Sequence, residues 1–557
     1  MVVVKTKRRE FIKSLGTLGL GLALPEALQA FATSEFETTK RSKLCILQTT
    51  DVHCQIHPHD ELFWENNQIV FRKTGGYANL AAHMQHISKN YKHCFKVDTG
   101  DMFQGSELSV KTTGEAIVPI LNALDYNLFL PGNWEVIYGK KKMQALLGAL
   151  NAPKVCANMY HDLGDGKRGD LIFPPYYIWQ AGDIKIGFLG YTDPLVPIRQ
   201  SPNYSKGIIY TKPEDNIGVL VKQLKETEAC NFIVILAHLG LSQQIALANN
   251  EACAGVNYIM GGDTHERVRT PIACKYAKVV EPGAFGSFIG KLELEFENGT
   301  LISESYELLE IDDAALTKNK RVEQLLQKSE KPYLAETTQV IGYSTIPLYR
   351  YFVVENPIDT MILNALHWKF PDTDICLSNG FRFCQPQASK DASGNYPITQ
   401  AYLYDMLPVD SAVRMAKASG QQIRDWLEKE LNNVFSKDAS KRVGGWVVKF
   451  KGMEISFKAF ANFGERIESI TVRGLALDPT KEYTLLACER DGDPEDMLCR
   501  LKGVRESKNS GFTLHQVITD YLKINSPVTP TPPLAAKILD APATLLSQVS
   551  GVDYQFR

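Results

Sequence analysis

The sequence predicts an α/β protein built from two domains. Its 557 residues are too many for a single hydrophobic core, so two globular units are expected. Short apolar runs alternate with longer amphipathic runs, and this alternation is typical of layered α/β structure. Polar residues follow directly after several apolar runs, which is where α/β proteins commonly place their binding sites.

In the first domain, the apolar runs are predicted to be strands and the amphipathic runs between them helices. The strands are expected at residues 44–49, 94–98, 127–130, 154–157, 184–189, 232–237, 258–260 and 279–281. The helices are expected at residues 77–89, 140–149 and 213–228. Residues 296–316 are interpreted as closing strands and a turn, so the first domain is expected to cover residues 43–316.

A charged helical stretch separates this domain from a second one. Residues 317–344 are predicted to be a linker helix, and the alternation restarts in a second domain at residues 345–525. Residues 526–557 are predicted to be a proline-rich C-terminal tail, and residues 525–533 are expected to be extended. The expected helices of the second domain are 359–366 and 420–431, and its expected strands are 375–378, 446–460, 467–473 and 483–488.

The N-terminus has the composition of a targeting signal rather than of a folded segment. Arg8 and Arg9 precede an apolar run at residues 15–24, and small residues follow that run. The segment resembles a twin-arginine export signal, so residues 1–32 are predicted to be a signal peptide. The protein is therefore expected to be periplasmic or otherwise extracytoplasmic. A Sec-type signal or an uncleaved anchor is the alternative.

Charge, hydropathy and cysteine spacing exclude several classes of function. Lysine and arginine number 61, aspartate and glutamate number 63, and no basic stripe stands out, so no nucleic-acid partner is expected. No apolar run approaches the ~20 residues that a membrane span needs. The 11 cysteines form no CxxC pair and no zinc-finger spacing, so the predicted chemistry does not depend on cysteine.

Five predicted strand ends carry residue types that bind metal ions. Each short pattern is common by chance, and a lone histidine or aspartate is more often an ordinary polar residue. Their order along the chain is the informative feature. The five patterns are Asp51-Val52-His53, Gly100-Asp101, Gly132-Asn133, His238-Leu239-Gly240 and Gly262-Asp263-Thr264-His265.

This order resembles that of the calcineurin-like metallophosphoesterases. The run at residues 100–106, Gly76-Tyr77-Ala78 and Ser378-Asn379-Gly380-Phe381-Arg382 narrow the resemblance to the 5'-nucleotidase superfamily. The resemblance covers residues 43–525. It implies a four-layered sandwich, with two mixed sheets flanked by helices, followed by a C-terminal α/β substrate domain.

The resemblance also implies two divalent metal ions, with manganese expected and zinc or magnesium as alternatives. Two dications that share a carboxylate lie ~3.5–4 Å apart, and they activate a hydroxide between them and hold the oxygens of an anionic centre. Asp101 is the expected bridge. The metal ligands implied are Asp51, His53, Asp101 and His265 for one ion and Asp101, Asn133, His238 and Asp263 for the other, and the expected catalytic residues are Asp101, Asn133, His238 and Trp134.

Two residues beside Asn133 depart from the superfamily pattern. Trp134 stands where the pattern has a histidine that assists the leaving group, and Ile137 stands where that histidine would have an acidic partner. An indole N–H donates a hydrogen bond, but it does not transfer a proton at neutral pH. The thiosulfohydrolases of the bacterial sulfur-oxidation (Sox) system also have a Trp-Glu pair at this place, so Trp134 and Glu135 make the chain resemble them. Those enzymes cleave sulfate from a sulfonated cysteine on a carrier protein.

Asp263 is a further departure, because the superfamily pattern has a histidine at this place. A carboxylate favours manganese or magnesium over zinc. Its negative charge is also expected to weaken the binding of an anionic substrate. If Asp263 turned away from the site, the second ion would lack a ligand.

Two residues of the second domain are expected to bind substrate. The planar guanidinium of Arg382 matches the geometry of sulfate or phosphate, so it is expected to grip an anionic head group. Phe381 is expected to line the same cleft, and packing in the domain core is its alternative role.

Three functions remain open at this point. The favoured one is an exported dimetal thiosulfohydrolase that acts on an anionic small substrate or on a sulfonated cysteine of a carrier protein. The second is a periplasmic 5'-nucleotidase or related phosphoesterase, which the missing histidine weakens. The third is a metal-containing binding protein whose catalytic parts have eroded.

Overall fold

Two mixed β-sheets form the centre of the first domain. The computed structural model describes residues 40–66, 68–378, 384–442 and 446–542, so the predicted signal peptide lies outside the described residues. The strands of this domain are β1 (Arg41–Thr49), β2 (His59–Glu65), β3 (Gln68–Thr74), β4 (His93–Asp98), β5 (Leu128–Phe129), β6 (Met159–Asp162), β7 (Arg168–Leu171), β8 (Tyr176–Ala181), β9 (Ile184–Thr192), β10 (Ile208–Tyr210), β11 (Phe232–His238), β12 (Tyr258–Met260), β13 (Ile272–Ala273), β14 (Lys278–Val280), β15 (Phe288–Glu297) and β16 (Thr300–Glu310).

The two sheets have parallel centres and antiparallel edges. One has the strand order β16-β15-β1-β4-β5, and the other has the order β13-β14-β12-β11-β9-β8. In the first sheet β1, β4 and β5 are parallel, and in the second β9, β11, β12 and β14 are parallel. All seven residues of β11 are buried, as expected for a central parallel strand that is covered on both faces.

The sheets pack face to face, and helices cover their outer sides. Phe95 of β4 stacks on Phe188 of β9 with 5.0 Å between ring centroids, inside the core that the two sheets share. Ile233 and Ile235 of β11 point to the opposite side and pack against Leu247. The predicted four layers are confirmed. The helices are α1 (Tyr77–Ser88), α2 (Glu107–Thr112), α3 (Val118–Ala123), α4 (Lys140–Gly148), α5 (Val196–Arg199), α6 (Ile217–Lys222), α7 (Leu241–Ala248) and α8 (Lys320–Glu330).

Two predicted elements of the first domain differ in the structure. The helix expected at 213–228 is divided into a 3₁₀ turn (Pro213–Asp215), α6 and a π-helical turn (Gln223–Thr227). The break falls at Asn216, whose side chain accepts from the Tyr191 hydroxyl and donates to a backbone carbonyl, so tertiary contacts override the helical pattern. The strand expected at 154–157 is reduced to an isolated bridge at Lys154.

The second domain is also built on a mixed sheet, with the order β21-β18-β25-β20-β28. Its helices are α9 (Leu334–Thr337), α10 (Pro357–Lys369), α11 (Gln400–Met406), α12 (Gly420–Phe435) and α13 (Leu514–Asn525). Its strands are β17 (Val340–Ser344), β18 (Ile375–Ser378), β19 (Tyr396–Thr399), β20 (Ala412–Ser419), β21 (Lys449–Lys451), β22 (Met453–Phe457), β23 (Ile467–Val472), β24 (Leu475–Ala476), β25 (Glu482–Cys488), β26 (Met497–Leu498), β27 (Leu501–Lys502), β28 (Arg505–Thr513) and β29 (Ala536–Ile538).

Alternating residues of the second domain's sheet point into two different hydrophobic cores, one on each face. Leu485 packs with α12 on one face, and Leu486 packs with α10 and α13 on the other. Helix α12 begins with a capping box, in which Ser419 accepts from the backbone of Gln422 and the Gln422 side chain accepts from the backbone of Ser419. None of the helices described is both long and apolar enough to cross a bilayer.

The predicted C-terminal tail contains a strand that the sequence pattern does not reveal. Strand β29 pairs in parallel with β22 and completes the sheet β24-β23-β22-β29. Ala536 and Ile538 are buried in the same core as Leu485. Residues 543–557 of the predicted tail lie outside the described residues.

Buried polar contacts join the two domains. The Tyr351 hydroxyl of the second domain donates to the Glu61 carboxylate in the β2–β3 hairpin, and Ser389 Oγ donates to Asp60 at 2.9 Å. Arg490 Nη1 donates to the backbone carbonyl of Gln200 at 3.1 Å. These contacts place the second domain over the ends of the first domain's parallel strands.

Candidate metal centre

The predicted ligands converge because they follow parallel strands whose carboxyl ends meet. Asp51 comes two residues after β1, Asp101 three residues after β4, and His238 is the last residue of β11. The loop after β12 carries Asp263 and His265. All of these side chains are buried, so the two sheets together form one polar site at their shared edge.

One group of three ligands is formed by Asp51, His53 and His265. The Nε2 atoms of the two histidines lie 3.1 Å apart, and His265 Nε2 lies 3.2 Å from Asp51 Oδ1. These three residues belong to the set that the resemblance implies for the first ion. Their ligand atoms are close enough together to bind one cation.

A second group is formed by Asp51, Asp101 and His238. His238 Nε2 lies 3.2 Å from Asp101 Oδ2 and 3.8 Å from Asp51 Oδ1. Asp101 Oδ2 also lies 3.7 Å from His53 Nε2, so the expected bridging residue faces histidines of both groups. Asp51 belongs to both groups, whereas the resemblance implies it for the first ion alone.

Asn133 and Asp263 reach the second group but also contact other side chains. Asp263 Oδ1 lies 4.0 Å from His238 Nε2, and Asn133 Nδ2 donates a hydrogen bond to the same carboxylate oxygen. Asn133 Oδ1 accepts from Gln200 Nε2 at 2.9 Å. Arg199 Nη2 lies 3.0 Å from Asp263 Oδ2. Asp263 therefore does not turn away from the site, and it is paired with a cation of the protein itself.

The histidines are oriented as metal ligands require. His238 Nδ1 lies 2.7 Å from the Thr99 carbonyl, and His53 Nδ1 lies 2.9 Å from the Gln104 carbonyl. A carbonyl can only accept, so each Nδ1 carries the hydrogen and each Nε2 directs a lone pair into the site.

Two buried atoms in the second group have no hydrogen-bond partner, and this supports a cation there. They are Asp51 Oδ1 and His238 Nε2. Burial opposes the charging of His238, but the Asp101 and Asp51 carboxylates raise its pKa well above the ordinary value. The protein alone can balance these carboxylates only by protonating an imidazole that is buried. A divalent cation would supply that charge instead, so the residues present fit the metals that the family implies.

The backbone at this centre is held in conformations that few side chains adopt. Asp51, His53, Asp101, Asp263 and His265 all have a positive φ, between 49° and 88°. Such strain persists only where surrounding structure imposes it, and it is concentrated at functional sites.

Glu135 is a functional residue whose role the sequence pattern did not identify. Its carboxylate accepts from the backbone N–H groups of Asp101 at 3.0 Å and Met102 at 2.6 Å, and also from Gly132. It therefore ties two ligand loops together. Burial and the nearby Asp101 raise the pKa of Glu135 to about 8.

Arg199 and Asp193 are further residues near the metal centre that no sequence pattern indicates. They follow β9, another parallel strand of the second sheet, and Arg199 Nη1 donates to Asp193 Oδ2 at 2.7 Å. They too lie beyond the carboxyl end of a parallel strand, but no short metal-ligand pattern marks them in the sequence.

A cavity of about 520 Å³ lies over the centre, between the domains. Trp134 is half-buried in its wall, and its backbone N–H donates to Asp101 Oδ1 at 2.8 Å. Trp446, Arg490 and Arg500 line the cavity from the second domain. The predicted substrate-binding residues Phe381 and Arg382 lie outside the described residues.

Two family models match the chain in sequence. Residues 45–267 match the calcineurin-like phosphoesterases, and residues 335–488 match the 5'-nucleotidase C-terminal domain. Among curated proteins, bovine 5'-nucleotidase is 23% identical over 468 residues, covering 77% of this chain and 78% of that protein. The 5'-nucleotidase of Vibrio cholerae is 22% identical over 567 residues, covering 91% of this chain and 96% of that protein.

Solved structures share the fold over most of the chain. The sulfate thiohydrolase SoxB of Thermus thermophilus is 21% identical with a TM-score of 0.80, covering 90% of this chain and 98% of that one. A 5'-nucleotidase precursor from the same species is 23% identical with a TM-score of 0.77, covering 90% of this chain and 100% of that one. With both domains matched in this order, the chain belongs to the calcineurin-like phosphoesterase and 5'-nucleotidase superfamily of hydrolases.

Proposed function

We propose that this hydrolase is an exported, dimetal thiosulfohydrolase that releases sulfate from a sulfonated sulfur atom. The observation that carries the proposal is the indole of Trp134 in the cavity wall, at the place of the expected histidine. Among the described residues that line the cavity, the histidines are His53 and His265, and both are candidate metal ligands. A substrate whose leaving group needs no protonation by an imidazole fits such a site.

The residues at the centre supply negative charge and orient the atoms that would bind the metal ions. Asp51 and Asp101 supply the carboxylates, the Nε2 lone pairs of His53 and His238 point inward, and His265 contributes its Nε2 atom to the first group. Divalent cations held there would lower the pKa of a water molecule and stabilise the oxyanion of the substrate. Manganese is the proposed metal, because carboxylate and amide oxygens predominate over soft ligands.

The chemistry of the leaving group explains why tryptophan is tolerated at position 134. In a cysteine S-thiosulfonate, water adds to the terminal sulfonate sulfur and the bond from that sulfur to its neighbouring sulfur breaks, so hydrogen sulfate and a cysteine persulfide are produced without any oxidant. A thiol has a pKa of ~8.5, and a persulfide is more acidic than a thiol. The persulfide anion therefore departs without a proton donor. An alkoxide leaving group, as in a nucleotide, is far more basic and benefits from general acid catalysis.

The cavity supports an anionic substrate of modest size. Its volume of about 520 Å³ fits a small molecule or the end of an extended peptide arm. Arg199, Arg490 and Arg500 line it and offer guanidinium groups to an anion, and each of them also pairs with a carboxylate of the protein. We propose accordingly that the partner is a sulfonated cysteine on a carrier protein, or a small anion of the same chemistry.

A 5'-nucleotidase is the second candidate. The curated relatives described above carry that name. The observation that favours it is a pair of indoles, Trp134 and Trp446, which line the cavity from different domains and offer surfaces on which a base could stack.

Turnover by the manganese-loaded protein distinguishes the candidates. The substrates are a cysteine S-thiosulfonate peptide, AMP and bis-p-nitrophenyl phosphate. Release of sulfate from the first, with AMP hydrolysed much more slowly, is the expected result. Rapid AMP turnover would establish the nucleotidase instead. Bound metal without turnover of any substrate would support a catalytically eroded binding protein.

We also propose export through the twin-arginine route, on the basis of Arg8 and Arg9. Replacing both arginines by lysine is expected to leave the protein in the cytoplasmic fraction of an expressing bacterium. Unchanged export of the double variant would show that another route is used.

A further inference from the structure

Arg199 makes an unusual contact for a residue beside a cation site. Its Nη2 lies 3.0 Å from Asp263 Oδ2 and 3.3 Å from Asp263 Oδ1, so one nitrogen contacts both oxygens of a candidate ligand. Its Nη1 donates to Asp193 Oδ2 at 2.7 Å. Only 18% of the Arg199 side chain is exposed, so solvent screens this charge weakly.

The segment that carries Arg199 is fixed in place. Arg199 ends helix α5, and the next residue, Gln200, donates to Asn133 Oδ1 at 2.9 Å. Arg490 of the second domain donates to the backbone carbonyls of Ile198 and Gln200. Consecutive residues therefore contact Asp263 and Asn133, the two expected ligands at the outer side of the second group.

The charges in this region explain the contact. Asp51, Asp101 and Asp263 all lie within 4.0 Å of His238 Nε2, so three carboxylates face one imidazole. An arginine guanidinium stays protonated in proteins, and two carboxylates contact this one, so Arg199 is charged. Asp263, Asp193 and Arg199 together contribute one negative charge, whereas the two carboxylates without Arg199 would contribute two.

We propose that Arg199 is a positioning residue that lowers the affinity of the second cation position by neutralising Asp263, and thereby keeps that position from becoming excessively anionic. On this proposal Asp263 weakens the binding of an anionic substrate less than its charge alone would, because Arg199 offsets part of that charge. The first position, formed by Asp51, His53 and His265, is expected to be affected much less, because Arg199 does not contact these residues in the structure described.

The test measures Mn²⁺ affinity directly and does not depend on turnover. Full-length protein is freed of metal with a chelator and titrated with Mn²⁺, and free Mn²⁺ is followed by electron paramagnetic resonance. Arg199→Gln is expected to tighten the weaker of two Mn²⁺ sites by about tenfold, since a cation ~5 Å from a dication is repulsive even at high dielectric. Arg199→Lys, which retains the charge, is expected to resemble the wild type.

A second variant moves the affinity in the opposite direction. Asp193→Asn leaves Arg199 with one carboxylate partner instead of two, so the weaker Mn²⁺ site is expected to lose affinity. Arg168→Gln removes an exposed arginine that stacks on Tyr160, and it serves as the charge-matched control without effect.

The direction of the change separates this proposal from a purely structural role. If Arg199 only oriented Asp263, Arg199→Gln would weaken the second site. Weakening, or no change, would overturn the proposal. Should Arg199→Gln fail to fold, an unchanged or tighter second site in Asp193→Asn would overturn it equally. None of these outcomes depends on which anion the enzyme hydrolyses.

Discussion

Oδ1 of Asp51 and Nε2 of His238 face each other at 3.8 Å, and neither makes a hydrogen bond in the structure described. Both side chains are fully buried, so these two atoms have lost water without gaining a hydrogen-bond partner. A cation that binds the folded state alone stabilises it by mass action.

Asp101→Ala is expected to abolish the binding of both metal ions and all hydrolytic activity. Asp101 Oδ2 faces His238 and His53, so its loss removes a carboxylate from both groups. Metal content measured by mass spectrometry checks the prediction. Asp170→Ala, at an exposed position of strand β7, is the control. Retention of two equivalents of metal by Asp101→Ala would contradict the role assigned to this residue.

Trp134→His alone is not expected to create an efficient AMP phosphatase. Ile137 would leave the new imidazole without a carboxylate to orient it. The double variant Trp134→His with Ile137→Asp is expected to hydrolyse AMP faster than either single variant. Trp446→His, which replaces the indole on the opposite wall, is the control. A large gain from Trp134→His alone would refute the prediction.

Glu61→Gln is expected to destabilise the protein by about 3–5 kcal/mol at pH 7, since it leaves a buried guanidinium unpaired. Glu61 accepts from Arg267 Nη2 at 2.7 Å. Burial pulls the pKa of Glu61 upward, but Arg267 and His59 hold it at about 2. Its contribution is therefore complete above about pH 4.5 and is lost as the pH falls toward 2.

Chemical denaturation across this pH range checks the Glu61 prediction. The wild type and Glu61→Gln should converge in stability as the solution becomes acidic. Glu65→Gln is the matched control in the same hairpin, because Glu65 is more exposed and its pairing with Arg72 contributes little. A constant difference between wild type and Glu61→Gln would argue against the assigned ionisation.

Lys449→Met is expected to change how stability depends on pH above neutrality. Lys449 donates to the Val353 carbonyl at 2.7 Å and is buried, which lowers its pKa to about 7 even though Asp359 and Glu355 oppose the shift and Arg350 reinforces it. Between pH 7 and 10 the unfolded chain holds a proton that the folded protein lacks. The wild type should therefore gain stability relative to Lys449→Met, by at most ~1.4 kcal/mol per pH unit.

Urea denaturation at several pH values from 6 to 10 measures this effect. Lys458→Met, at a lysine that is half exposed, should show no such divergence from the wild type. Parallel curves for the wild type and Lys449→Met would show that the lysine remains charged in the folded protein.

The elements that the sequence predicts correctly are those with strong local patterns. Strand β11 is uniformly apolar, and α1 is amphipathic, so both were located to within a residue or two. Strand β29 was missed because three residues after a proline-rich stretch carry no periodic pattern, and their pairing with β22 depends on contacts distant in sequence. The division of the helix at Asn216 has the same origin.

At the metal centre, residue type and strand-end position predicted which side chains come together, but not what else contacts them. His53 and His265 meet as expected. The pairing of Asp263 with Arg199 could not be read from the sequence, because it requires two loops from different strands to approach within 3 Å. The double contact of Asp51 with both groups is likewise a matter of three-dimensional geometry.

The left-handed backbone at the centre restricts which substitutions this protein can accept during evolution. Asp263 has a φ of 88°, a conformation in which asparagine, aspartate, histidine and glycine are favoured over branched or long side chains. When histidine is replaced at such a position, aspartate is the acidic residue that the backbone accommodates most easily. The backbone conformation therefore limits which ligand residues can replace one another. A single substitution can change the metal preference only where the loop already accommodates the new side chain.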